Sequence, residues 1–97
     1  MSTDAIQLDP ADDVATALRP LTAGGTITVA HPGGALSLRL AEPIPAFHKI
    51  ALASRPAGTP IRKYGAVIGE LTQAVPAGAL VHVHNLQSLK ARKEVPS

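Results

Sequence analysis

Cysteine and tryptophan are absent from this 97-residue chain, and its aromatic residues are one phenylalanine and one tyrosine. Without cysteine there is no disulfide framework and no thiolate metal site, which suits a reducing, cytoplasmic setting. With so few rings, the core of this single domain has to be built from Val, Ile, Leu and Ala. Such a core can fold alone, and a partner subunit or a second copy of the chain would add to it. No apolar run reaches 18 residues, so no membrane span is expected. The start, Met1-Ser2-Thr3-Asp4, lacks the basic and apolar regions of a signal peptide.

Excess charge is also missing from the body of the chain. Residues 1–89 hold six basic and six acidic side chains, and the net +2 comes from Lys90, Arg92 and Lys93 against Glu94. A neutral body with two aromatics argues against a nucleic-acid module. Residues 1–88 therefore read as the domain, and 89–97 as a flexible basic tail.

Long helical periodicity is nearly absent. One short helix is expected over 10–18, with Asp9 as N-cap, Pro10 at the first helical position and Pro20 beyond the end. The rest reads as short strands at 5–8, 26–29, 36–40, 49–52, 66–68 and 80–84, split by Gly and Pro. A weak repeat runs through the turns. Leu21-Thr22-Ala23-Gly24, Arg55-Pro56-Ala57-Gly58 and Val75-Pro76-Ala77-Gly78 share one form. Ile44-Pro45-Ala46-Phe47 has the same form with Phe47 in place of glycine. Proline at turn position i+1 and a glycine with positive φ would reverse the chain before each following strand. The expected fold class is mostly β, a small domain of short looped strands with at most one short helix.

Three polar clusters interrupt this aliphatic pattern: His48-Lys49, Arg62-Lys63-Tyr64-Gly65 and His82-Val83-His84-Asn85. On a strand, His82 and His84 would share one face about 6–7 Å apart, with Val81 and Val83 on the other. Two imidazoles so placed can hold zinc or iron, transfer a proton, or simply be hydrogen-bonded surface groups. His48 beside Lys49 can pair a proton acceptor with an anion clamp, although a surface turn explains the pair equally well. Lys63 suits a carboxylate or sulfonate, and Tyr64 can donate a hydrogen bond or anchor its turn. Asp12-Asp13 read as favourable charge at a helix start or as a carboxylate of a shared site. His31-Pro32-Gly33-Gly34 reads as a turn. Gly24-Gly25 and Gly33-Gly34 lack the lysine and helix of a phosphate-binding loop. Ser37, Ser54 and Ser88 lack a nucleophile-elbow context.

Asp12-Asp13-Val14, then Phe47-His48-Lys49-Ile50, then Lys63-Tyr64-Gly65-Ala66-Val67-Ile68-Gly69, then His82-Val83-His84-Asn85 occur in an order and spacing that resemble the SAF domain of the altronate/galactarate dehydratase family. The stand-alone small subunits of that family, including that of sulfolactate sulfo-lyase, are similar. The likeness covers nearly all of 5–86. It implies a β-clip fold and a part in β-elimination from a hydroxy acid, releasing water from a sugar acid or sulfite from sulfolactate. It also implies a separate or fused large catalytic subunit, without which this chain is inactive, and a divalent metal, commonly iron, at a shared site. On this reading His48, His82 and His84 are catalytic, with His82 and His84 also the candidate metal ligands. Lys49, Lys63 and Tyr64 bind the carboxylate substrate. The alternative is a non-catalytic SAF-type binding or assembly module. Two departures stand out: the family usually has Asp-Asn at Asp12-Asp13, and often glycine at Phe47.

Overall fold

Glycine and proline break the chain into segments too short for a helix, and the computed structural model, which describes residues 3–88, contains nine strands. They are β1 (Ala5–Ile6), β2 (Val14–Ala17), β3 (Thr26–His31), β4 (Gly34–Arg39), β5 (Lys49–Ala51), β6 (Pro60–Lys63), β7 (Ala66–Leu71), β8 (Leu80–Val81) and β9 (Leu86–Ser88). A six-stranded sheet has the order β4-β3-β1-β2-β5-β8, and a three-stranded sheet the order β6-β7-β9. All neighbours run antiparallel except β1 and β3. The mostly-β expectation holds, and β6 and β9 are strands that the sequence pattern did not reveal. The basic tail lies outside the described residues.

No helix forms over 10–18. The Asp9 carboxylate accepts the Ala11 N–H at 2.8 Å and the Asp9 carbonyl the Asp12 N–H at 2.9 Å, making a turn. Val14–Ala17 then becomes a central strand, with Val14 opposite Ala51 and Ala17 opposite Ala5. A nine-residue segment is too short to hold helix on propensity alone, and two flanking strands satisfy its backbone on both sides.

The turn repeat is the organising unit of the fold. Each unit spans ten residues: 17–26, 40–49, 51–60 and 71–80. Units pair reciprocally. Gly24 donates its N–H to the Leu40 carbonyl at 3.0 Å, and Phe47 to the Ala17 carbonyl at 2.8 Å. In the second pair, Gly58 donates to Leu71 at 2.7 Å and Gly78 to Ala51 at 2.8 Å. Isolated bridges join Leu21 to Ile44 and Arg55 to Val75, at the fifth residue of each unit. The turn carbonyls of Pro45, Pro56 and Pro76 accept the N–H groups of His48, Thr59 and Ala79. Proline thus occupies turn position i rather than the expected i+1. The residue needing positive φ is at i+2: Gly24 (82°), Phe47 (66°), Gly58 (87°) and Gly78 (85°).

Strand alternation feeds two cores. Ala15 and Ile50 enter one cluster, with Val29, Leu40 and Ile44. Their neighbours Val14 and Ala51 face the other, with Ile61, Leu71 and Val81. The middle strands of the larger sheet are therefore covered on both faces. Each fully buried aliphatic side chain contributes about 1.5–3 kcal/mol, which lets the domain form without aromatic residues in its core.

Candidate functional site

Three loops carry the polar clusters, and groups from all three come near one another. The first is the turn 45–48. Its geometry sets His48, whose Nδ1–H donates to the Ala46 carbonyl at 3.0 Å. That bond leaves Nε2 with the lone pair in the neutral ring. Lys49 begins β5, between Thr16 of β2 and Val81 of β8.

The second loop is the β6–β7 hairpin, closed by Tyr64-Gly65. Both residues have positive φ, 56° and 77°, as a two-residue type I′ turn requires. The buried Asp12 carboxylate holds this turn, accepting the N–H of Tyr64 at 2.9 Å and of Gly65 at 2.8 Å. Asp13 accepts the Arg62 N–H at 2.8 Å and lies 3.8 Å from the Arg55 guanidinium. Both acids are spent on shaping the hairpin. Lys63 Nζ sits 4.9 Å from the Tyr64 ring centroid.

The third loop corrects the sequence reading. The strand expected over 80–84 ends at Val81, and 82–85 is a turn. Asn85 ends it. This buried side chain accepts the His82 N–H at 2.9 Å and donates to the Leu80 carbonyl at 2.8 Å. Its backbone N–H donates to the His82 carbonyl at 3.0 Å. Asparagine competes with the sheet ladder through such local bonds. His82 and His84 therefore do not stand side by side on a strand face. Val81 is fully buried while Val83 is 81% exposed, so the expected apolar face does not exist either.

His82 instead meets His48, with ring centroids 4.7 Å apart and planes tilted by 55°. His82 and Lys49 are half-buried, and His84 is exposed. Desolvation, then the charges of His48, Lys49 and His84, push the His82 pKa below the usual histidine value. Desolvation first, then Lys63, lowers the Lys49 pKa as well. Every charge acting on these two groups is positive. The structure thus brings together His48, Lys49, Lys63, Tyr64 and His82, with His84 at the margin. Asn85 and Asp12 are positioning residues whose importance the sequence alone did not reveal. The signal was present in the turn chemistry of Asn, and in Asp12 preceding a strand.

This set of groups is suited to an anion. Among the described residues no group of three or more His, Asp or Glu is placed to hold a metal ion. Two imidazoles flanked by two ammonium groups do not by themselves fit a divalent cation, since the lysines repel it.

The fold and the cluster define a class: a small all-β domain built from paired turns, presenting a cationic surface with two contacting imidazoles. The chain belongs to the altronate/galactarate dehydratase SAF domain family, whose profile matches residues 3–89. A search of curated proteins finds no match. Among the described residues, no helix is long and apolar enough to cross a membrane.

Proposed function

We propose that this chain is the small subunit of a cytoplasmic lyase that eliminates water from a sugar acid or related hydroxy acid, acting with a separate large subunit. Family membership supports a sugar-acid dehydratase association. The observation that carries the reading further is the His48–His82 contact beside Lys49 and Lys63, with both nearby aspartates committed to backbone. Loss of sulfite from sulfolactate has the same first requirement and is a related reading.

Elimination removes a proton from carbon, forms a C=C bond and breaks the bond to the departing hydroxyl, which leaves as water once protonated. Lys49 and Lys63 neutralise the substrate carboxylate, and Tyr64 orients it. A lowered pKa keeps His82 neutral near pH 7, as a proton acceptor must be. His48, fixed through Nδ1, presents Nε2 for transfer of the second proton. His84, exposed and outside the ring contact, has a lesser part. Because the lysines beside these imidazoles do not suit a divalent cation, an iron or other divalent metal that the reaction needs would be held by the large subunit.

In the reconstituted two-subunit enzyme, His48→Ala and His82→Ala should each lower kcat by at least about 100-fold. His84→Ala should cost under about tenfold. Lys49→Gln should act mainly on KM. If His48→Ala and His82→Ala both retain near-normal kcat, the chain is an assembly or binding module and the catalytic assignment is wrong.

A further inference from the structure

The chain's only two aromatic residues, Phe47 and Tyr64, are also the only non-glycine residues with positive φ among those described. Three of the four sister turns satisfy that φ with glycine, at no steric cost. The fourth places Phe47 there at 66°, with the residue 73% exposed. Tyr64 takes the first position of a type I′ turn, where Asn or Asp is favoured, and is 62% exposed. Both pay backbone strain and gain little packing within this chain. Val83, 81% exposed, projects from the third loop. These three are the most exposed large apolar residues described, and each directly adjoins a lysine or histidine of the cluster in sequence.

We infer that Phe47, Tyr64 and Val83 are docking anchors for a second polypeptide, one that offers apolar recesses to them and a net negative charge to this positively charged face. A small hydroxy acid, polar at nearly every carbon, does not bury three apolar side chains from three loops. A second copy of this chain would bring two positively charged faces together. Apolar anchors around a complementary charge centre are the ordinary anatomy of a protein interface. The inference rests on the two-subunit reading above and assigns the face through which the large subunit is met.

The test is association with the large dehydratase-type subunit, followed by calorimetry at two salt concentrations, with thermal melts of each small subunit alone. Phe47→Gly should melt at or above the wild-type temperature, because glycine relieves the strained φ, yet bind at least about tenfold more weakly. Val83→Ser, altered at an exposed turn, should keep the melt and also weaken binding. Added salt should weaken the wild-type complex. Wild-type affinity in both variants overturns the docking face while leaving the two-subunit reading intact. No association of the wild-type chain overturns both. Self-association of the wild-type chain that Phe47→Gly abolishes would show a homo-oligomeric face and overturn the choice of partner.

Discussion

At the scale of single residues, Lys49 shows what the site costs the fold. It lies half-buried between β2 and β8, with Lys63 as its charged neighbour. Its folded pKa is lowered, so the unfolded chain holds this proton more tightly than the native one. The sign follows: stability is lost as pH falls below the ordinary lysine value, and at pH 7 the penalty is in force. Lys49→Gln should therefore raise Tm at pH 7, with the gain shrinking above pH ~10.5. Melts of both proteins across that range check it, and a lower Tm for the variant at pH 7 would refute the placement. His82 has the same sign, since its lowered pKa opposes protonation in the native state. Asn85 is the opposite kind of residue. It carries no charge, yet three hydrogen bonds make it the clasp that sets His82 against His48.

At the scale of elements, the four-unit repeat was visible in the sequence because its signals are local. A positive-φ glycine after an Ala is a property of three or four residues. Pairing of the units was not visible, because the hydrogen bonds from Gly24 to Leu40 and from Gly78 to Ala51 span 16 and 27 residues. The helix expected over 10–18 failed for the same reason: β1 and β5 hold that segment as strand from either side. The glycines of the units differ in consequence. A Cβ on Gly78 would lie 2.0 Å from the Arg39 carbonyl oxygen, whereas nothing lies within 4 Å of one on Gly24 or Gly58. Gly78→Ala should thus cost about 3 kcal/mol or more, from strain and overlap together. Gly24→Ala should cost only the left-handed strain of about 1–2 kcal/mol. Denaturant titration of the two variants separates them, and equal losses would contradict the close approach of unit 71–80 to Arg39.

At the scale of the whole molecule, Asp4 ties the larger sheet together at its start. Its carboxylate accepts the Thr28 N–H at 2.9 Å and receives the Arg19 guanidinium, while its carbonyl accepts the Leu18 N–H. The Thr28 hydrogen bond, helped by Arg19 and opposed by burial, holds the Asp4 pKa below its usual value. Ionised Asp4 thus contributes stability above pH ~4, and that contribution is lost as pH falls through the lowered folded value. Asp4→Asn should cost about 1–2 kcal/mol at pH 7 and flatten the acid limb of Tm against pH. An unchanged acid limb would show that other carboxylates govern it.

From the sequence alone follow the β class, the turn repeat, the aliphatic core and the three polar clusters, because each depends on residue type and short spacing. The family resemblance rests on the same local motifs. The tertiary structure decides which clusters meet and how. It replaces a His82–His84 pair on a strand with a His48–His82 contact across two loops. It also spends Asp12 and Asp13 on the Arg62–Gly65 backbone and leaves Phe47 and Tyr64 exposed in strained conformations. The physical reason is that the Asp12 and Asp13 carboxylates satisfy backbone groups 49 to 53 residues away in sequence, and no local pattern encodes which groups those are.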